Sequence, residues 1–284
     1  MKVNSYAKIN LTLEILKKRD DGYHNLRSIM QLIDLHDILD ISLNENSNEV
    51  KVQSSNSDVP LDCFNTCLKA ANLFLAKTGI KSGINIYIEK YIPLGGGLGG
   101  GSSNAAKTLE TLNSFFDKPL SDDELIEIAK SIGADVPFFL DDIKTALCEN
   151  IGDQIIEITT APPSPIILFF PDINSNTVEA YNSLDLSELK LTGEKTTFVK
   201  QAIEMDFFYD SLQYLCNDFE KSIFRKYPVL AEIKEMIKTE SPSQVLMSGS
   251  GSTVFAIFKN SESRDKTYDN LRNKLKCVKS EFMI

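Results

Sequence analysis

The strongest chemical signal in this chain is a glycine-rich run between residues 93 and 103. Six of the fourteen glycines in the 284 residues lie there. Glycine loses more conformational freedom on folding than other residues, so such a run suits a backbone with unusual dihedral angles or a very close approach. Alternating residues 84–89 predict a strand before it, and helical spacing after it predicts a helix with Ser102 or Ser103 as N-cap. Free N–H groups of the loop and the positive end of the helix dipole would then point at the same place, which predicts a phosphate site.

Other interpretations of this glycine loop (residues 95–101) are less consistent with its surroundings. Flexible linkers are glycine-rich, but they are not bounded by a strand and a capped apolar helix. The Lys-Ser/Thr pair of the Walker loop is missing. The spacing G-x-G-x-x-G occurs at Gly95, Gly97 and Gly100, but no early βαβ unit surrounds it. A dinucleotide-dependent oxidoreductase is therefore disfavoured, and a nucleotide-using enzyme is favoured.

Phosphoryl transfer needs a cation, a carboxylate near the attacking hydroxyl and a metal ligand. Lys8 lies among apolar residues of a predicted strand, either as a solvated edge residue or as a cation directed into a cleft. Asp135 lies between Gly133 and Pro137 in an apolar run, either as a cap or as a group that orients or deprotonates a substrate hydroxyl. The residue types alone leave both pairs of alternatives open.

A second segment of small residues, 247–253, precedes an apolar run. Glycine and serine there suit a β-hairpin turn, and they also suit a loop that approaches a ligand or another loop closely. Because a phosphate loop is predicted in the same chain, we favour a segment that closes over the nucleotide or the substrate.

Composition and charge restrict the class of protein. The chain is 42% hydrophobic and 25% charged, as in ordinary globular proteins, and no apolar stretch reaches the length of a membrane span. The net charge of −10 disfavours a nucleic-acid partner. Five scattered cysteines and two histidines form no metal-ligand pattern, and the N-terminal residues show no apolar signal core. We expect a cytoplasmic, non-membrane protein with a small-molecule substrate, as a monomer or weak homodimer.

The elements that must position these residues follow a mixed order of strands and helices in both halves, which predicts an α+β protein. Proline-rich residues 161–165 mark a boundary between a domain at 1–160 and a domain at 161–284. Early strands are predicted at 2–16, 26–35, 37–43 and 49–53, and early helices at 65–78 and 121–132. Later helices are predicted at 177–184, 198–205, 218–227, 229–238 and 261–275, and later strands at 166–170, 244–247 and 253–258.

Four blocks of sequence together resemble the galactokinase, homoserine kinase, mevalonate kinase and phosphomevalonate kinase (GHMP) superfamily. Within it, they resemble the branch that phosphorylates a cytidine diphosphate derivative of methylerythritol for non-mevalonate isoprenoid synthesis. The blocks are Ala7-Lys8-Ile9-Asn10-Leu11 with residues 19–26, the run from Pro93 to Ala106, residues 133–139 and residues 248–255. The resemblance implies two α+β domains, the first binding ATP, with the active site in the cleft between them.

The resemblance also implies a catalytic pair. Lys8 and Asp135 match the family's catalytic residues, and Asn10 matches a polar substrate-contacting residue beside them. In this interpretation Asp135 orients or deprotonates the substrate's 2-hydroxyl, while Lys8 keeps Asp135 ionised and stabilises developing charge.

Binding residues follow from the same resemblance. Tyr23 matches a ring that stacks on cytosine, His24 an imidazole that contacts the base edge, and Tyr181 an aromatic residue on the other face. ATP and Mg²⁺ are the implied cofactors: Asn65 lies near adenine, and Ser102 or Ser103 lies close to the metal. The residues matched to the ATP site are Asn65, Pro93, Gly95, Gly96, Gly97, Leu98, Gly99, Gly100, Gly101, Ser102 and Ser103.

One segment departs from the family. After Asp135 the family usually has a Gly-x-Gly-Glu element, whereas this chain has Asn150 for one glycine and Asp153 for the glutamate. Homoserine, mevalonate and sugar kinases are alternatives within the superfamily, and they have no need of a cytidine pocket. A non-catalytic nucleotide-binding or regulatory protein is an alternative outside catalysis, and the presence of both Lys8 and Asp135 argues against it.

We predict that Asp135→Asn folds and binds nucleotide but loses about 10²–10⁴-fold in turnover, the usual contribution of general base catalysis. Steady-state kinetics combined with calorimetric titration of nucleotide measures both properties. Turnover close to that of the wild type would rule out the proposed role of this carboxylate.

Overall fold

Strands and helices occur in mixed order in a computed structural model of the chain, which describes residues 1–45, 47–173 and 175–284. The strands are β1 (Lys2–Lys18), β2 (His24–Asn44), β3 (Val50–Ser54), β4 (Gly83–Glu89), β5 (Thr145–Glu149), β6 (Gln154–Glu157), β7 (Pro165–Phe169), β8 (Cys216–Asn217), β9 (Gln244–Met247), β10 (Val254–Ile257) and β11 (Cys277–Glu281). The α-helices are α1 (Thr66–Thr78), α2 (Gly100–Phe115), α3 (Asp122–Ile132), α4 (Thr177–Asn182), α5 (Glu194–Glu204), α6 (Phe219–Lys226), α7 (Pro228–Lys238) and α8 (Ser261–Leu271). This mixture confirms the predicted α+β class.

Two compact units make up the described chain. The first comprises Met1–Ala7, Leu35–Leu94 and Gly99–Ile143, and the second comprises Lys8–Asp34, Gly95–Leu98 and Lys144–Ile284. The long strands β1 and β2 each contribute residues to both units, so the units interleave along the chain. The predicted boundary between residues 160 and 161 divides the chain by sequence order instead, and it stays a prediction.

In the first unit, helices α1, α2 and α3 accompany a small sheet. β3 pairs with β4 in parallel, with Val50 opposite Ile84, and β2 pairs with β4 antiparallel, with Ile38 opposite Glu89. Helix α1 ends at Gly79, whose φ of 71° gives the left-handed C-cap that glycine favours. Helix α3 begins with the predicted capping box, in which Ser121 and Glu124 bond each other's backbone N–H.

The second unit contains a further sheet of four strands in the order β11-β7-β10-β9, all antiparallel. Helices α7 and α8 cover it through a core that includes Phe169, Ile237 and Leu271. In the same unit β2 pairs antiparallel with β5, β5 with β6, and β1 pairs in parallel with β8.

Strand β1 is buried on both faces in the second unit, although its two faces differ in chemistry. Leu13 and Ile15 pack with Phe219 and other apolar residues of the helices. The opposite face presents Lys8, Asn10, Thr12 and Glu14, each at most 6% exposed. Successive side chains of a strand point to opposite faces, so the alternating sequence produces one apolar and one polar buried face.

Several predicted boundaries are wrong for identifiable reasons. The strands predicted at 26–35 and 37–43 form one strand, β2, because Asp37 is buried and paired with Lys90 (Oδ2–Nζ 2.6 Å) rather than placed in a turn. The helix predicted at 198–205 begins at Glu194, because the buried Glu14 carboxylate accepts a hydrogen bond from Thr196 N (2.7 Å) in its first turn. The helix predicted at 261–275 ends at Leu271, and residues 272–274 form a turn. Strands β5, β6, β8 and β11 were not predicted.

None of the helices within the described residues is long and apolar enough to cross a membrane.

Candidate active site

The glycine loop has left-handed backbone conformations at every second residue. Gly95, Gly97 and Gly99 have φ values of 65°, 73° and 70°. L-residues with a Cβ rarely adopt this conformation, which explains the glycines at these three positions. Alternation of this kind turns successive backbone N–H groups toward one side, as in anion-binding nests.

The predicted N-cap of the following helix is wrong. Helix α2 begins at Gly100 with Gly99 as N-cap, so Ser102 and Ser103 lie within its first turn, and no described side chain caps it. The first backbone bond of the helix runs from Ser103 N to Gly99 O (2.9 Å). The preceding N–H groups have no acceptor within the helix, so this end can bind an anion.

The two serines predicted near the metal differ in their surroundings. Ser103 is fully buried, and its Oγ lies 2.7 Å from Ser5 Oγ, which lies equally close to Asn104 Oδ1. Ser102 is only half-buried. Ser102 is therefore the more accessible hydroxyl.

Within the second unit, the first half of the glycine loop contacts the β9–β10 turn (residues 248–253). Ser248 Oγ donates to Gly97 O (2.9 Å), and Thr253 N donates to Gly96 O (3.3 Å). A Cβ on Gly97 would lie 2.1 Å from Ser248 O, which is far inside van der Waals contact. Gly97 is therefore required by packing against protein as well as by its positive φ.

The β9–β10 turn is itself buried and extensively hydrogen-bonded. Asn217 Nδ2 donates to Met247 O and to Gly249 O (both 2.8 Å), and Ser175 Oγ donates to Ser250 O (2.6 Å). It joins two antiparallel strands, as the hairpin interpretation predicts, and it contacts another loop, as the alternative predicts. Closure over a nucleotide or substrate stays a prediction.

Lys8 is fixed by both its backbone and its side chain. Its N–H donates to Leu98 O of the glycine loop (3.0 Å), and its Nζ donates to Asn10 Oδ1 (2.7 Å). Asn10 Nδ2 in turn donates to Ser28 Oγ (2.8 Å). Because Lys8 is only 3% exposed, the alternative of a solvated edge lysine is wrong. A buried ammonium group beside the glycine loop can stabilise negative charge.

Asp135 lies in the turn between α3 and a short 3₁₀ helix (Pro137–Phe139). Gly133 is the C-cap of α3 and Val136 is the N-cap of the 3₁₀ helix, so Asp135 occupies neither cap position. Its side chain is half-buried. The residue belongs to the first unit, whereas Lys8 and Asn10 belong to the second. Their action as a pair stays a prediction.

The residues predicted to bind cytidine differ in exposure. Tyr23 is 62% exposed, whereas His24 is only 8% exposed. The rings of His24 and Tyr181 stack with centroids 5.3 Å apart at 19°, and Tyr181 meets Phe219 edge to face. This spacing leaves no room for a base between His24 and Tyr181. Cytosine could contact Tyr181 only on a part of the tyrosine ring that His24 does not cover. The predicted contact of Tyr181 with the other face of cytosine therefore stays a prediction.

Burial lowers the pKa of His24 below its usual value of 6.5, and the charge of Lys18 adds to this effect. The imidazole is therefore neutral near pH 7, and it offers one donor and one acceptor.

Asn65, predicted near adenine, is the N-cap of α1. Its Oδ1 accepts from Cys67 N (2.9 Å) and Leu68 N (3.2 Å), and its Nδ2 donates to Pro60 O (2.7 Å). The start of α1 also contacts the start of α2, where Thr66 Oγ1 donates to Gly101 O (2.6 Å). Contact with adenine stays a prediction, as does the role of Pro93, which is half-buried before the loop.

Metal-binding side chains do not cluster in the part of the chain that the structure describes: no group of three or more His, Cys, Asp or Glu could hold a metal ion. Mg²⁺ fits these residues only if most of its ligands are phosphate oxygens and water, as is common for Mg²⁺. Asn150 and Asp153, the two residues that depart from the family's pattern, are hydrogen-bonded to each other (Nδ2–Oδ1 2.8 Å).

Sequence reasoning missed the supporting contacts of the site. Ser28 and Thr12 continue the bonding from Asn10, because Ser28 Oγ donates to Thr12 O (2.5 Å). Thr196 Oγ1 donates to Thr12 Oγ1 (2.9 Å). The alternating polar residues of β1 were the available signal.

Comparison with known families identifies both halves of one kinase architecture. The family model described as GHMP kinases N terminal domain matches residues 65–142, and the one described as GHMP kinases C terminal matches residues 197–277. A solved homoserine kinase from Cytophaga hutchinsonii has a similar fold, with a TM-score of 0.75 at 16% identity over 100% of this chain and 94% of that chain. The fold and the site define a GHMP-type kinase.

Closer relatives belong to one branch. A 4-diphosphocytidyl-2-C-methyl-D-erythritol kinase from Caldicellulosiruptor bescii is 40% identical over 96% of this chain and 94% of its own length. One from Clostridium beijerinckii is 37% identical over 98% of both chains. A solved 4-(cytidine 5'-diphospho)-2C-methyl-D-erythritol kinase has a TM-score of 0.81 at 29% identity over 99% of both chains. The chain belongs to the family of 4-diphosphocytidyl-2-C-methyl-D-erythritol kinases.

We predict that Gly97→Ala lowers the free energy of unfolding by about 2–5 kcal/mol, because a left-handed alanine is strained and its Cβ meets Ser248 O. Gly101→Ala is the matched control, since its Cβ would lie 3.5 Å from Thr66 Oγ1, at ordinary contact distance. That variant should change stability by less than about 1 kcal/mol. Urea unfolding measures both, and equal losses would contradict the packing argument.

We predict a specific acid dependence of stability from His24. Its folded pKa lies below its unfolded value, so the unfolded chain takes up the proton first as pH falls. The wild type should therefore lose stability relative to His24→Gln as pH falls below about 6.5, while the difference should stay constant above about 7.5. Urea unfolding of both proteins between pH 5.5 and 8 measures this difference. His36 is present in both proteins and cancels. A difference that is the same at every pH would contradict burial as the cause.

Proposed function

We propose that this chain transfers the γ-phosphoryl group of ATP to the 2-hydroxyl of 4-diphosphocytidyl-2-C-methyl-D-erythritol, a step of non-mevalonate isoprenoid precursor synthesis. The observation that carries the proposal is the position of Lys8. Its ammonium group is buried and bonded to Asn10, and its backbone N–H is bonded to Leu98 of the glycine loop. The loop and the cation are therefore held together by one strand.

A few side chains have separate roles in the reaction. Asp135 orients the substrate hydroxyl or accepts its proton, and Lys8 keeps that carboxylate ionised and stabilises the charge of the transferring group. Asn10, which accepts from Lys8 Nζ, directs the ammonium group and contacts substrate. Such positioning and charge stabilisation account for most of the catalysis in phosphoryl transfer.

ATP binds through backbone groups in this proposal. The N–H groups of the glycine loop and of the first turn of α2 contact the phosphates, Pro93 lines the approach, and Asn65 lies near adenine. Bound Mg²⁺ would neutralise phosphate charge, and Ser102, the more accessible of the two hydroxyls, or Ser103 would help to hold it.

The cytidine group is recognised by the β1–β2 turn (residues 19–23) and the start of β2. The exposed ring of Tyr23 stacks on cytosine, and the neutral imidazole of His24 bonds the base edge. Tyr181, stacked on His24, fixes the imidazole plane. It covers the other face of cytosine with the part of its ring that His24 does not occupy.

The wider setting belongs to the same proposal. Residues 1–160 form the ATP-binding domain and residues 161–284 the second domain, in a cytoplasmic monomer or weak homodimer. All five cysteines are free thiols, as a reducing compartment favours.

A coupled ADP-release assay tests the activity, with the cytidyl substrate, mevalonate and homoserine supplied separately. We expect turnover with the cytidyl substrate and none above background with the other two. Turnover with mevalonate or homoserine alone would assign the chain to another GHMP activity. No ADP release with any of them, at saturating ATP and Mg²⁺, would contradict kinase activity on these substrates.

Substrate specificity gives a sharper prediction. Tyr23→Ala should raise KM for the cytidyl substrate by roughly 5- to 150-fold, the worth of one base–aromatic stack. KM for ATP should stay within twofold, because Tyr23 is not part of the proposed ATP site. Tyr87→Ala is a control at another exposed tyrosine, on β4. If Tyr23→Ala raises KM for ATP instead, the assignment of the cytidine pocket is wrong.

A further inference from the structure

The β1–β2 turn, which carries Tyr23, is held together by hydrogen bonds of its own. Arg19 N donates to Tyr23 O (2.8 Å), and Tyr23 N donates to Asp21 Oδ1 (3.1 Å). The Arg19 guanidinium is paired with the Asp21 carboxylate (Nη2–Oδ2 2.8 Å). Because the Tyr23 ring is 62% exposed, its packing cannot fix its direction, and the turn backbone must do so.

A second turn, β5–β6 (residues 150–153), supports the first. Leu26 N donates to Asn150 O (2.7 Å), so the two turns are linked by backbone just after Tyr23 and His24. Arg19 Nη1 donates to Asn150 Oδ1 (2.5 Å), and Asn150 Nδ2 donates to Asp153 Oδ1 (2.8 Å). Asn150 thus bridges Asp153 to the arginine of the β1–β2 turn.

An asparagine meets all the requirements at this position. Its φ is 62°, a left-handed conformation that asparagine, aspartate and glycine adopt most readily. It must also accept from a guanidinium and donate to a carboxylate at once. An amide has both groups, whereas a carboxylate cannot donate and glycine has no side chain.

We propose that Asn150 is a positioning residue for cytidine recognition: through Arg19, it fixes the turn that presents Tyr23 and His24 to the base. The segment in which this chain departs from its family therefore supports substrate specificity. Asn150 itself acts through Arg19, with no contact to the substrate. The inference rests on the proposed function, because it needs the cytidyl group to bind at this turn.

Asn150→Gly is the direct test, because glycine keeps the left-handed backbone and removes only the amide. KM for the cytidyl substrate should rise roughly 10- to 150-fold, the worth of one hydrogen bond to a charged group. Turnover and KM for ATP should stay within twofold. Arg19→Gln should give the same pattern, because it removes the other partner.

Exchange of donor and acceptor provides a rescue. In Asn150→Asp combined with Asp153→Asn, the new carboxylate accepts from Arg19 and from the new amide. KM for the cytidyl substrate should then return to within about threefold of the wild type, less than the loss from a single hydrogen bond to a charged group. Arg272→Gln is the control arginine and should change neither KM, since among the described residues Arg272 forms an ion pair only with Asp269 on α8 (Nε–Oδ1 3.3 Å).

The outcomes separate this inference from the proposed function. If Asn150→Gly leaves KM for the cytidyl substrate unchanged while Tyr23→Ala raises it, the positioning role is overturned and the proposed function stands. An equal rise in both KM values, or failure of the exchanged pair to rescue, also overturns the positioning role. A wild-type protein that does not phosphorylate the cytidyl substrate overturns both.

Discussion

The candidate site depends on one backbone approach, that of Gly97 to Ser248. No residue with a Cβ fits there, because the Cβ would lie 2.1 Å from Ser248 O. The approach allows Ser248 Oγ to bond Gly97 O, and it brings the turn close to β1, since a Cβ on Gly249 would lie 3.5 Å from Asn10 Oδ1. Lys8 N holds the same loop through Leu98 O. Two parts of the chain about 150 residues apart in sequence thereby fix the loop that is proposed to bind phosphate.

The second constraint is the polar face of β1. Burial of an unpaired polar group is costly, so each of these side chains needs a partner. Asn10 and Thr12 are joined by Ser28, and Glu14 accepts the N–H of Thr196 at the start of α5. Among the described residues, no buried side-chain nitrogen or oxygen lacks a hydrogen-bond partner. Such a network holds the Lys8 side chain in one direction, as a preorganised cation requires.

The residues proposed to recognise cytidine need a different kind of support. Tyr23 has little packing, so its position depends on the hydrogen bonds of Arg19, which extend to Asn150 in the β5–β6 turn. His24 is fixed by burial and by its stack on Tyr181. The same burial keeps the imidazole neutral by lowering its pKa. Neighbouring residues in the chain are thus held by unrelated interactions, one polar and one apolar.

The sequence by itself determined the class of elements, the glycine loop, the alternation of β1 and the capping box of α3, because each depends on residues close together in the chain. The sequence also indicated the family, because each of its motifs is a short run of neighbouring residues and their order can be read along the chain. Tertiary structure decided the features that depend on distant residues. Asp37 is buried within a continuous β2, and Gly99 rather than a serine is the N-cap of α2. Contacts such as Gly97 with Ser248 and Arg19 with Asn150 join residues more than 100 positions apart. No local pattern encodes such pairs, because they arise only when separate strands and turns pack together.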